Sequence, residues 1–506
     1  MATRTVSNTG GNWSATAAWV GGVVPIAGDA VAFNPGSGNL TVNISTANLI
    51  GINFTQYVGT ITFNNTINTS GTVNLGTGGY TQAGASGLNL IGTTTLTSGG
   101  VTWSRTLTFT GTSITYTLSA NWTNTGTVTF GGTTTTIING NTLNIGGGLT
   151  STTTAIVSGT TVINFNGTGT WSASGGGVIR NNVTINTAGT ITISGVFIYN
   201  TGTLTYTAGT VVTTGSTLSV GQSTTTVLAT NGITWNNFFI SGNSTTVTLS
   251  NNFTLSGTFT HAAAPLTLNG STLFVGGNFT STFGGTMTGT TGIVLNGTGT
   301  VTTSGAPPIN NSFTINTAGT ITFSGNFGLG PGLVTYTSGT VVTTGTAFFL
   351  QAATTLATNG IIWNIISIPN TITVTLTNRL TATTMTVANS VIFTTSGITV
   401  GTLTLSNPGT THQLASNQTN IINTAFNCTA ATNAFRVLIR STTPGVKSLL
   451  NLSPSATQDL GFVNATDINS NGGKKIYSYK ATLSNTDNWA TLPTDPFAES
   501  SVIFVN

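Results

Sequence analysis

The block Thr184-Ile185-Asn186-Thr187-Ala188-Gly189-Thr190-Ile191-Thr192 returns unchanged at 314–322, 130 residues further along the chain. The block at 205–215 returns at 335–345 with one change, and Asn166-Gly167-Thr168-Gly169-Thr170 returns at 296–300. Asn139-Gly140-Asn141-Thr142-Leu143 comes back as Asn269-Gly270-Ser271-Thr272-Leu273. Trp103, Trp235 and Trp363 hold matching places in Val-Thr-Trp, Ile-Thr-Trp and Ile-Ile-Trp. A shortened first copy begins near Thr66, so about three copies fill 61–410. Several separate blocks at one offset restrict the chain to folds that stack like units.

Within each copy, short alternating runs such as Thr203-Leu204-Thr205-Tyr206-Thr207 are separated by Gly, Asn or Ser-Gly. Alternation marks strands with one buried face. Thr is close to a quarter of the chain and Gly accounts for 66 of its 506 residues. Thr, Val, Ile and Phe favour strands, and Gly and Asn favour turns. The class is therefore all-β. Tandem immunoglobulin-like sandwiches and one continuous β-solenoid both suit the pattern. The copies run together without a Pro-rich or charged linker, which favours a solenoid with coils of about 20–25 residues. Stacked Asn side chains hydrogen-bonding from coil to coil would account for the repeated Asn block.

Charge excludes more functions than any motif suggests. Only 3% of residues are charged, and between Ala30 and Gln458 there is no Asp or Glu. Hydrolysis of sugars ordinarily needs two carboxylates, so the expectation is a protein without catalytic residues. Asp-rich calcium loops are excluded over the same stretch. His261 and His412 stand apart, and the single Cys428 cannot form a disulfide within the chain. No metal or cofactor site is expected. The formal net charge of +4 does not point to nucleic acid, because before Arg436 the cations are four scattered arginines. Lys474, Lys475 and Lys480 do cluster, with Asp467 and Asp487 near them in sequence. They form the candidate interaction site on a solvated face. The first residues lack the apolar core of a secretory signal, and no run of about 18 apolar residues could cross a membrane.

At the front, Trp13, Trp19, Gly21, Gly22, Pro25, Gly28, Asp29 and Val31 spell Trp-x5-Trp-x-Gly-Gly-x-x-Pro-x-x-Gly-Asp-x-Val. This resembles the opening segment of bacterial and phage surface proteins built on right-handed β-helices. Towards the end, Leu438-Ile439-Arg440-Ser441, Gly445, the run 459–468, Gly472-Gly473 and Asn488-Trp489 are similar to the closing coils of phage tail-fibre and virion-associated β-helices. The resemblance covers the terminal segments, about a quarter of the chain. It implies a right-handed parallel β-helix, with Trp13 and Trp19 plugging the first coil and Asp29 tightening a turn as structural caps.

These readings together divide the chain into a cap or docking segment at 1–60, a repeated solenoid at 61–410, and closing coils or a small β domain at 411–506. The expected function is that of a structural, non-catalytic phage virion protein: a fibre, spike or capsid decoration acting in host adhesion or particle assembly. Its expected partners are further copies of itself (a trimer, by analogy with other fibres), other virion proteins and host surface glycans. The expected location is the virion surface, with neither nucleic acid nor membrane insertion involved. The alternative is a bacterial extracellular adhesin or S-layer-like solenoid.

Overall fold

The computed structural model describes residues 1–131, 135–152, 156–173, 177–221, 225–241, 245–262, 266–281, 287–303, 309–428 and 432–492. The fold is an all-β right-handed parallel β-helix of about 20 turns. Among the described residues the one helical element is a single 3-10 turn, Thr16–Ala18. Two compact units divide the chain, Met1–Leu255 and Ser256–Asn506.

In the first unit the coil length is set by ladder register. Leu107 pairs with Val128 and Val128 with Leu149, giving 21 residues per coil. Side chains alternate in and out of each strand, so register turns the alternation into columns. Leu88, Leu107, Val128, Leu149 and Trp171 form one inward column. Leu90, Phe109 and Phe130 form the next, with the two phenyl rings 5.1 Å apart. Between these inward columns stands an outward one, Asn89, Thr108, Thr129, Thr150 and Ser172. Inward positions are fully buried, as at Leu107, Phe109, Val128 and Phe130. Burying one such aliphatic or aromatic side chain contributes roughly 1.5–3 kcal/mol.

Near the start of the first unit the two tryptophans of the opening motif are buried. Trp13 and Trp19 are 1% and 3% exposed, so neither indole faces water. Their rings meet edge to face, 4.8 Å between centroids, and Trp19 Nε1 donates to the Trp13 carbonyl at 2.8 Å. Asp29 accepts from the Ala2 amide at 3.0 Å, Arg4 Nε at 2.9 Å and the Ile26 amide at 3.3 Å. It thus ties the first strand, Thr3–Thr5, to the turn before the strand Ala30–Ala32.

The second unit repeats details of the first. Its 17-residue strand Phe313–Leu329 matches Val183–Tyr199, and its 11-residue strand Gly332–Val342 matches Gly202–Val212. The ladder shifts register at Ile185/Asn186 and again at Ile315/Asn316. Tyr206 donates to the Gly209 carbonyl at 2.6 Å, and Tyr336 to Gly339 at 2.7 Å. Both glycines have φ +113°, and a Cβ there would come within 2.6 Å of a threonine methyl (2.5 Å at Gly209). Only glycine fits such a backbone.

One sequence expectation needs correcting. The repeated asparagines Asn139 and Asn269 do not stack on each other's kind. Their side-chain oxygens accept the backbone amides of Thr160 at 3.1 Å and Thr290 at 3.3 Å on the following coil. Each stands at the end of a strand beside a glycine in the left-handed region, Gly140 or Gly270. Coil-to-coil side-chain ladders are made by other residues, Asn164 to Asn144 at 2.8 Å and Asn89 to Asn68 at 2.9 Å.

Candidate functional site

Within the second unit, the closing coils bring three residues into one column at the start of a sheet. Val437 pairs with Val463, and Asn464 pairs with Thr482. Extended to the preceding residues, the same register sets Arg436, Phe462 and Lys480 one after another on successive coils. The Arg436 guanidinium carbon lies 6.0 Å from the Phe462 ring centre and Lys480 Nζ lies 5.9 Å from it. Lys480 Nζ is also 5.1 Å from the Tyr479 ring, which packs edge-on against Phe462 at 5.1 Å. Beside this column Lys475 Nζ stands 5.7 Å from the Tyr477 ring. Each exposed cation–ring contact contributes roughly 0.5–1 kcal/mol.

The backbone is bent to make this arrangement. Phe462 has φ +52° and Lys480 φ +49°, a left-handed region that bulky residues avoid. Backbone hydrogen bonds hold both: the Phe462 amide donates to Tyr479 at 2.7 Å and the Lys480 amide to Leu492 at 3.0 Å. Strain of this kind persists only where surrounding structure fixes it, and it clusters at functional sites.

The carboxylates near the lysines in sequence are engaged elsewhere. Asp487 pairs with Lys447 at 2.7 Å. Asp467 accepts from the Asn485 side-chain amide and, at 2.9 Å, from the Gly445 backbone amide, which hold its carboxyl below the usual carboxylate range. Lys474 donates to the Ala456 carbonyl at 3.0 Å. Lys475 and Lys480 are exposed and form no ion pair among the described residues. Their ammonium groups stand against aromatic rings at the exposed surface. Asp495 and Glu499 lie outside the described residues.

Sequence reading found Lys474, Lys475 and Lys480 and missed Arg436, Phe462, Tyr477 and Tyr479. A signal was present: Phe435-Arg436, Lys475-Ile476-Tyr477 and Tyr479-Lys480 each set a cation beside an aromatic. Phe435 is 62% exposed, which adds an open apolar ring near the same corner. The cap residues Trp13, Trp19 and Asp29 belong to the first unit and carry packing and backbone ties, not exposed chemistry.

Other chemically capable side chains are interior. His412 sits in an inward column between Val391 and Ile439, and Nε2 meets Thr410 Oγ1 at 2.9 Å. Burial pushes its pKa down to about 4. His261 is fully buried, with Nδ1 3.1 Å from Ser281 Oγ. Cys428 is buried, and burial together with the Asp459 charge pushes its thiol up to about 12. Among the described residues no three His, Cys, Asp or Glu side chains gather as metal ligands, and no helix is long and apolar enough to cross a membrane.

Comparison of the chain with protein-family models, with curated proteins and with solved structures finds no match.

Proposed function

We propose that this chain is a structural, non-catalytic surface protein of a phage particle, a fibre, spike or capsid decoration, whose closing coils make the adhesive contact. A β-solenoid is compatible with a structural surface or adhesin role. The observation that carries the reading is the Arg436–Phe462–Lys480 column, whose cations form no ion pair among the described residues and in which Phe462 and Lys480 are held left-handed. Charge gives an interface its orientation and discrimination, and the preceding coils offer little of it. Self-association into an oligomer suits a surface with few repulsive charges. The partners in this reading are further copies of the chain, other particle proteins and a host surface glycan.

The opening motif supports a second reading, since bacterial surface β-helices share that pattern: a bacterial extracellular adhesin or S-layer-like protein. Immunogold labelling of purified particles and of cell envelopes separates the two. Label on particles alone upholds the first reading, and label on the envelope of uninfected cells replaces it with the second. A paired Arg436→Gln, Lys480→Gln variant should lose attachment to host cells, while Arg105→Gln, Arg180→Gln should keep it. Assays against capsule, lipopolysaccharide and peptidoglycan should show no cleavage; any cleavage would overturn the non-catalytic reading, and its loss on removal of Asp459, Asp467 and Asp487 would place the activity in the closing coils.

A further inference from the structure

On the outer face of the second unit a shallow groove of about 530 Å³ crosses successive coils. Register lays out its floor: Thr373 pairs with Ile392, Ile392 with Gln413, and Gln413 with Arg440. Gln351 and Ser390 flank that row. The lining is thus hydroxyls and primary amides over an aliphatic floor, with one guanidinium at the end. Arg440 is exposed and takes part in no ion pair among the described residues. Its strand, Val437–Ser441, is the one that Arg436 precedes, so the groove's charged end and the cation–aromatic corner share a sheet. Four residues along a strand separate them, about 13 Å at about 3.3 Å per residue.

We propose that this groove binds an acidic polysaccharide, with Arg440 taking a carboxylate of the chain and the cations at the corner meeting a further one. The inference deepens the adhesive reading above and rests on it for its biological setting, not for its chemistry. A polysaccharide presents what the lining asks for. Its hydroxyls exchange hydrogen bonds with Thr373, Ser390, Gln351 and Gln413, and its C–H faces lie on Ile392. Carboxylates spaced along the polymer match cations spaced along the sheet, and a guanidinium takes a carboxylate through two parallel hydrogen bonds. Single-stranded nucleic acid fits less well. It needs a basic track and free ring faces for base stacking, whereas here Phe462, Tyr477 and Tyr479 each carry a cation against the ring.

The test is calorimetric titration of the full chain with a polygalacturonate oligomer, its methyl-esterified neutral counterpart and a single-stranded oligodeoxythymidine. The acidic sugar should bind more tightly than the neutral one, and the preference should fade as salt is raised. Arg440→Gln should weaken the acidic sugar about tenfold, the loss of one charge-assisted contact, and leave the neutral sugar unchanged. Gln413→Ala should weaken both sugars. An unchanged affinity in Arg440→Gln, absence of binding to either sugar, or tighter binding of the oligodeoxythymidine would overturn the proposal. Circular dichroism of each variant confirms the fold, and because Arg440 is exposed its replacement leaves the core intact. Surface location is scored separately by immunogold. Binding without surface label sinks the adhesive reading alone, and surface label without sugar binding sinks this proposal alone.

Discussion

Trp19 donates its indole N–H to the carbonyl of Trp13 at 2.8 Å, while the two buried rings meet edge to face. One hydrogen bond and one ring contact thus fix the loop between them. Without that packing, the first strand would offer unpaired backbone groups to any other strand. Replacing Trp19 by Ala should destabilise the N-terminal coil by about 3–5 kcal/mol, the usual cost of removing a buried aromatic. Limited proteolysis should then cut within residues 1–35 while the remainder stays resistant. Cleavage spread evenly along the chain would mean that the pair has no local capping role.

Asp29 offers an independent check on the same end. Its carboxyl is held below the ordinary value, chiefly by the Arg4 hydrogen bond. A depressed carboxyl stabilises the fold above its unfolded value and loses that contribution as pH falls through the folded one. Protection of the Ala2 and Ile26 amides against hydrogen exchange should therefore fall with acidity below about pH 4, and Asp29→Asn should show the reduced protection at pH 7.

His412 sets an acid limit of opposite origin. Burial lowers its pKa to about 4 from an ordinary 6.5, so the unfolded chain binds the proton more readily than the folded one. Stability from this group is whole above about pH 6.5 and declines towards pH 4, by about 3 kcal/mol in total. Urea midpoints measured at pH 7 and pH 5 should differ less in His412→Leu than in the parent. Equal differences would show that the ring is protonated within the fold.

The Cys428 thiol should be silent in the native protein. Its side chain is buried and its pKa is pushed up to about 12, while the reactive species is the thiolate. Iodoacetamide at pH 8 should leave the folded chain unlabelled and modify it fully in denaturant. Rapid native labelling would refute the burial.

Removing residues 184–313 joins Val183 to Thr314. Val183 stands in register with Ile163, as Phe313 does with Ile293, so the junction meets an equivalent neighbour. Repeat proteins tolerate such changes because each unit contacts only its neighbours. The shortened protein should keep its strand signature by circular dichroism and melt cooperatively, whereas an aggregated or unfolded product would show that the two blocks are not interchangeable.

The fold was legible because alternation and a shared offset both survive in the residues themselves. Thr184–Thr192 and its copy at 314–322 occupy matching strands, down to the register shift after Ile185 and Ile315. The candidate site was only half legible. Lys474, Lys475 and Lys480 are close in sequence, but Arg436 lies 44 residues from Lys480 and meets it through Phe462 only because of coil register. The step from coil to coil differs, 18 residues from Leu380 to Ile398 but 32 from Ala425 to Thr457, so stacking could not be counted off along the chain. The role of the repeated asparagines was misread for a related reason: the left-handed conformation beside each is a backbone property that residue type alone does not announce.

The burial of both histidines has a further consequence. Between Ala30 and Phe435 the ionisable side chains able to meet water are three arginines and two tyrosines, Tyr206 and Tyr336, since carboxylates are absent and both imidazoles are enclosed. Acid therefore meets no carboxylate and no exposed imidazole along that stretch. The surface of the repeat thus offers a proton no carboxylate, whereas every Asp and Glu of the chain lies at its two ends.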